Sequence, residues 1–320
     1  MVFTIQSTFI AVLLLIAGLI LMIFTSKKTV DYSIELASIL NIPPLIIGVV
    51  LISLGTDLPE IVNSVLSNYL GHADISIGDS VGSILNQLTL VFGILPFFGG
   101  AIKFKRRELA VIGSCLILAL IFLFTMFEKG TFTRLNAFFL IASLGLFTTI
   151  ITTSVAKSDF EKDAGISEAG NDKKKGILIL LVVVSMIGVA VGSVLIINSV
   201  IKLAEDINLP EYLISFFIVG IGTSLPELFV DIAAIKKKQY NIAVGDILGS
   251  CLVDATLSIG IGQFLFPQRV STVLANQTIL YTILVAVVVI VLLAVRRKLD
   301  KKTGFFFILL YLASYSFLFF

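Results

Sequence analysis

Apolar residues run along this chain in blocks too long and too uniform for half-buried strands or amphipathic surface helices. Blocks near the ~20 residues that carry a helix across a bilayer stand at about 8–25, 43–70, 76–98, 108–127, 134–156, 176–200, 210–235, 241–266, 272–295 and 303–319. No apolar/polar alternation recurs at the roughly 10-residue spacing of a membrane β-barrel. The pattern predicts an all-α integral membrane protein with ten transmembrane helices. Composition agrees, because 58% apolar and 14% charged residues with a mean hydropathy of +1.08 exclude a water-soluble domain. The first block lacks a basic n-region and a small-residue cleavage site, so it is expected to be retained. Cys115 and Cys251 fall inside blocks and read as small buried residues, and the single His72, in a short loop, is given no role.

Charge between the blocks sets an orientation. The connections after blocks 1, 3, 5, 7 and 9 hold Lys27, Lys28, Lys103, Lys105, Arg106, Arg107, Lys157, Lys162, residues 173–175, 236–238 and 296–298, Lys301 and Lys302. The other face keeps only Lys129, Arg134, Lys202 and Arg269. The positive-inside rule then puts the rich face in the cytoplasm and both termini outside, in a multi-pass protein of the cell membrane. The net charge of +2 is accounted for by topology and points to no nucleic acid. The lipid bilayer is the one partner implied, and no obligatory protein partner is evident.

A shift of 167 residues superimposes residues 41–90 on 208–257 without a gap. It pairs Asn41 with Asn208, Pro43 with Pro210, Gly55-Thr56-Asp57-Leu58-Pro59-Glu60 with Gly222-Thr223-Ser224-Leu225-Pro226-Glu227, and Gly78-Asp79 and Gly82-Ser83 with Gly245-Asp246 and Gly249-Ser250. The expected organisation is a first repeat over 1–156, a cytoplasmic linker over 157–175 and a second repeat over 176–320. Five spans is an odd number, so the second repeat enters the membrane from the opposite side.

The doubled motif carries chemistry. A proline in a helix removes a donor and crowds the carbonyl four residues back, so Pro59 and Pro226 should free oxygens around Gly55–Thr56 and Gly222–Thr223. Free backbone is tolerated at membrane depth only where it meets protein, water or an ion. Glu60 and Glu227 follow one turn on, near the start of a resumed helix. Two carboxylates with neutral oxygens suit Ca²⁺, a hard cation with 6–8 oxygen ligands, whereas softer metals would ask for His or Cys. Asp79 and Asp246 add carboxylates that cost roughly 2.5–3.5 kcal/mol in mid-membrane unless they face a partner or water. The glycines four apart around them read first as packing devices. Asp254 lies eight residues after Asp246, with Gln87 at the matching place in the first half. Asp57 and, more weakly, Asp231 complete the acids, and no block offers a basic partner.

The paired Gly-Thr-x-Leu-Pro-Glu and Gly-Asp-x-x-Gly-Ser segments resemble the two α-repeats of the calcium/cation antiporter superfamily, nearest its sodium/calcium exchanger branch. The resemblance implies a ten-helix secondary antiporter, not an enzyme, in which two peripheral helices slide against eight and Na⁺ is exchanged for Ca²⁺ without a cofactor. It implies that Glu60 and Glu227 are shared Ca²⁺/Na⁺ carboxylates, with the carbonyls of Thr56 and Thr223 completing a Ca²⁺ site. Asp57 and Ser224 fall at hydroxyl positions, Ser83 and Ser250 at flanking Na⁺ sites, and Gln87 and Asp254 at a central amide and acid. Blocks 1 and 6 are expected to be the moving pair, with Gly18 and Gly188 or Gly192 easing their sliding.

The chain departs from that pattern toward acidity. Asp57 stands where sodium exchangers have a small hydroxyl, and Asp79 and Asp246 where many members have asparagine. Two alternatives within the superfamily therefore stay open, an H⁺/Ca²⁺ antiporter and a K⁺-dependent Na⁺/Ca²⁺ antiporter. An intramembrane aspartyl protease fits poorly, because Ser76 and Ala243 replace the first glycine of its Gly-x-Gly-Asp signature. A passive channel would need a continuous pore, which the sequence does not strictly exclude.

Overall fold

The computed structural model describes residues 7–40, 52–128, 132–159, 172–205 and 211–319. Asn41, Pro43, Asn208, Pro210, Lys129, Lys162 and the middle of the expected linker lie outside the described residues.

Wherever the expected apolar blocks fall on described residues, the chain is helical. Helix α1 spans Thr8–Leu40. A broken pair follows, α2 (Ser53–Thr56) and α3 (Leu58–Leu70). Next come α4 (Ala73–Asn86), a π-helical turn at Gln87–Val91 and α5 (Phe92–Gly99). Strand β1 (Ile102–Lys103), α6 (Arg106–Glu128) and α7 (Arg134–Asp159) complete the first half. The second half has α8 (Asp172–Glu205), α9 (Glu211–Ile214), a π turn at Ser215–Val219, α10 (Gly220–Thr223) and α11 (Leu225–Lys236). It ends with α12 (Tyr240–Val253), a π turn at Asp254–Ser258, α13 (Ile259–Leu265), α14 (Thr272–Arg296), β2 (Lys298–Leu299) and α15 (Lys301–Phe319).

Among the described residues, six helices are long and apolar enough to cross a membrane by themselves. Their burial orders them from centre to edge: 94% of the most apolar window of Tyr240–Leu265 and 78% of that of Ala73–Gly99 is inside the molecule, against 22% for Arg134–Ser154. The helices that carry Asp79, Gln87, Asp246 and Asp254 are thus the core, which a soluble protein would not build from such residues.

Three expectations about extent need correction. The first helix does not stop near residue 25 but continues through Lys27 and Lys28 to Leu40. Polar side chains do not end a helix, and neither Gly nor Pro stands between Leu19 and Leu40. At 33 residues it is about 50 Å long, more than the ~30 Å of hydrocarbon it would cross. Both ends of the expected linker are also helical, since α7 runs to Asp159 and α8 starts at Asp172. The all-α reading gains a small sheet, with β1 antiparallel to β2 through Ile102↔Leu299 and Lys103↔Lys298.

Contacts join several of the connections. The turn before α6 pairs with the turn before α15, and Lys237, after α11, forms an ion pair with Asp31 in the second half of α1. All four belong to one expected face. On the other face the Asp74 carboxylate accepts from the backbone N–H of Ser271 at 2.7 Å, and Arg134 donates to the Leu265 carbonyl at 3.3 Å.

Close backbone approach assembles the centre. A Cβ on Gly82 would stand 2.8 Å from the Phe216 carbonyl carbon, and one on Gly220 would stand 3.0 Å from the Ser83 nitrogen. The packing role of these glycines is therefore met by the broken helix of the opposite half. Helices α1 and α8 lie against each other along their length, and a Cβ on Gly188 would stand 3.1 Å from Thr25 Cβ.

Candidate functional site

Both proline breaks form, and they form alike. The helix stops at Asp57 with φ −77° and ψ 2° and at Ser224 with φ −77° and ψ −2°, and a new helix starts at once with the proline in its first turn. A proline early in a helix satisfies the local rule, because its missing N–H would find no partner there anyway. Glu60 and Glu227 sit in the first turns of the resumed helices. The positive end of each helix thereby faces a carboxylate.

Every expected site residue, Thr56, Asp57, Glu60, Asp79, Ser83, Gln87, Thr223, Ser224, Glu227, Asp246, Ser250 and Asp254, is at most 3% exposed. The carboxylates of Asp57, Glu60 and Asp254 gather so that one oxygen from each lies within 4.8 Å of the others. Around them the Ser83 hydroxyl donates to Glu60 Oε1 at 3.3 Å and lies 2.9 Å from the Ser224 hydroxyl. Gln87 Nε2 donates to Ser83 Oγ at 3.2 Å and to Asp254 Oδ2 at 3.4 Å. Glu227 neighbours Asp57 and Thr56, and the Thr56 hydroxyl is 3.3 Å from that of Ser250.

Gln87 and Asp254 are 167 residues apart, the repeat distance itself. The contact brings equivalent positions of the two motif copies together. Each also opens a π-helical turn, a distortion that recurs at functional sites. The Cys251 thiol reaches Gln87 Oε1 at 3.1 Å. Both cysteines are free and buried.

The acids differ sharply in how they are satisfied. Asp79 receives Asn63 Nδ2 at 2.5 Å and the Thr223 hydroxyl at 2.8 Å, one on each oxygen. It is a held side chain rather than an open ligand. By contrast, both oxygens of Asp57 and of Glu227, Oε2 of Glu60 and Oδ1 of Asp254 are buried with no hydrogen-bond donor among the described residues. Among the described residues no lysine or arginine forms an ion pair with any of them. Leaving buried carboxylate oxygens unmatched is costly, so this cluster is built for something positive. The donor set is oxygen alone, which suits hard cations such as Ca²⁺ and Na⁺.

Sequence reasoning missed Asn63, whose only signal was an amide one turn after Glu60 on an apolar helix. Asp231, the weaker candidate among the acids, is fully buried on α11 beside Asp246.

The chain has clear relatives. An uncharacterized membrane protein, MJ0091, of Methanocaldococcus jannaschii is 26% identical over 93% of this chain and 94% of its own length. The sodium/calcium exchanger MaX1 of Methanosarcina acetivorans is 23% identical over 86% of this chain and 87% of its own. In fold, a structure of the sodium-calcium exchanger NCX_Mj soaked with 100 mM Na⁺ and 10 mM Sr²⁺ superimposes with a TM-score of 0.79 at 24% identity, covering 97% of this chain and 99% of the other. The model of the family described as sodium/calcium exchanger protein matches twice, at residues 10–153 and 177–320, segments offset by the same 167 residues as the motifs. Together the two matches take in nearly the whole chain, which therefore belongs to the sodium/calcium exchanger family.

Proposed function

We propose that this protein is a secondary antiporter that exchanges Ca²⁺ for Na⁺ across the cell membrane by alternating access. Ten spans form two inverted repeats of five, over 1–156 and 176–320, with the basic connections in the cytoplasm and both termini outside. The observation that carries the reading is the group of Asp57, Glu60 and Asp254 at the contact of the two halves, buried, with oxygens that no donor matches.

Glu60, Glu227, Asp254 and Asp57 serve as charged ligands, and Thr56, Thr223, Ser83, Ser224, Ser250 and Gln87 supply neutral oxygens. Asp79 and Asp246 position Thr223 and Thr56. Two or three Na⁺ and one Ca²⁺ compete for the same carboxylates, and the vacant, highly charged site crosses reluctantly, so exchange is coupled. Helices α1 and α8, which pack chiefly on each other, slide against the remainder to open the site to either side.

Asp57 favours one second reading, in which H⁺ or K⁺ replaces or accompanies Na⁺, because it adds a carboxylate with two unmatched oxygens where Ser224 stands in the other half. The experiment is ⁴⁵Ca²⁺ uptake into Na⁺-loaded proteoliposomes diluted into choline, K⁺ or Na⁺ buffer, beside Glu60→Gln and Glu227→Gln. Uptake driven by the outward Na⁺ gradient and lost in both variants is expected. Uptake that ignores Na⁺ and follows a pH gradient would replace the first reading with the second.

A further inference from the structure

Asp231 and Asp246 make a second acidic group beside the central one. Asp231 lies on α11 one turn beyond Glu227, and Asp246 lies on α12, which packs against α11. Both are 0% exposed. Each carboxyl group is the other's charged neighbour. Among the described residues neither oxygen of Asp231 has a donor, nor does Oδ2 of Asp246, and Oδ1 of Asp246 has only the Thr56 hydroxyl at 3.5 Å. Ionised carboxylates only accept hydrogen bonds, so two of them this close require something positive between them. No lysine or arginine among the described residues pairs with either.

The other half of the molecule shows what the same scaffold looks like when satisfied. There the matching aspartate, Asp79, is clasped by Asn63 and Thr223. The residue matching Asp231 is Ser64, whose hydroxyl accepts from Ser76 at 2.8 Å. At these two positions three carboxylate oxygens thus lie unmatched in the second half, where Asp79 in the first leaves none. The Thr56 hydroxyl adds a neutral ligand, since its oxygen lies 3.5 Å from Asp246 Oδ1 and 3.2 Å from the carbonyls of Ile52 and Ser53, and it keeps lone pairs whichever acceptor takes its proton. An all-oxygen set with a formal charge of −2 selects a hard divalent ion over a soft one.

We infer that Asp231 and Asp246, with Thr56, hold a hard divalent cation at a second site, separate from the central carboxylates and displaced from them toward the 236–238 lysines.

Equilibrium dialysis of the purified full chain against ⁴⁵Ca²⁺ counts the ions bound. Asp231→Asn is expected to bind one Ca²⁺ fewer than the unaltered protein, and Asp231→Ser, which copies Ser64, to lose the same ion. Glu60→Gln should retain that ion while losing the central one, which separates this inference from the transport reading. Should Asp231→Asn fail to elute as a monodisperse species, Asp246→Asn carries the same expectation. Equal Ca²⁺ counts in the unaltered protein and these variants would overturn the inference. So would a protonated-carboxyl infrared band in the Ca²⁺-saturated protein that Asp231→Asn abolishes, since a proton would then bridge the pair.

Discussion

Replacing Asp57 with serine gives the first half the residue that the second half carries at the matching position, Ser224. The substitution removes one unit of negative charge from a group whose oxygens lie within 4.8 Å of one another. At an effective dielectric of about 20, a unit charge about 5 Å away is worth roughly 3.5 kcal/mol to a monovalent ion and roughly 7 kcal/mol to a divalent one. Ca²⁺ therefore loses about 3.5 kcal/mol more than a single Na⁺ in the same place. Relaxation toward Glu60 and Asp254 and entry of water reduce that difference, yet about 1.4 kcal/mol of it suffices for a tenfold change in relative affinity. The assay is ⁴⁵Ca²⁺ uptake into Na⁺-loaded proteoliposomes with external Ca²⁺ and Na⁺ both titrated. In Asp57→Ser the half-saturating Ca²⁺ concentration should rise at least about tenfold relative to the half-inhibiting Na⁺ concentration. An unchanged ratio, together with unchanged charge moved per cycle, would refute the reasoning and remove Asp57 from the ion site.

Gly82→Ala places a Cβ against the backbone of Phe216, which has no rotamer with which to retreat, so a loss of about 1–3 kcal/mol is expected as a lower melting temperature in detergent. Asn63→Ala strips Asp79 of one of its two donors and should cost about 1–3 kcal/mol by the same measurement. Outside the spans, Asp300 caps α15 by accepting from the backbone N–H of Thr303 at 3.0 Å and from its hydroxyl at 2.8 Å, and this holds its carboxyl at about 2, below the usual 3.8. A depressed carboxyl stabilises the fold above its unfolded value and ceases to as pH falls through its folded one. Asp300→Ala should therefore lower stability by about 1 kcal/mol at neutral pH, with the deficit shrinking between about pH 4 and pH 2. Cysteines at Lys103 and Lys298 should react with an impermeant thiol reagent only from the cytoplasm, and cysteines at Asp74 and Arg269 only from outside. Labelling of both pairs from one side would sink the proposed topology.

What could be read from the sequence were the features whose physics is local. A run of apolar residues is helical at membrane depth because its backbone must satisfy itself. The prolines at 59 and 226 stop a helix wherever they stand, and so both breaks, with a glutamate in the first turn beyond each, were legible beforehand. The glycines around Asp79 announced close packing, and Gly82 delivers it against Phe216. Where α1 ends was less legible, because Lys27 and Lys28 read as a loop while helical hydrogen bonding is indifferent to their charge. The acids could be found but not sorted. Whether a carboxylate is clasped like Asp79, gathered like Asp57, Glu60 and Asp254, or paired like Asp231 with Asp246 depends on partners as distant as 144 residues for Thr223 and 167 for Gln87 with Asp254. Such contacts have no periodicity or spacing to betray them. They exist only because the two halves pack with their broken helices against each other's glycines, and that meeting is decided by the tertiary structure alone.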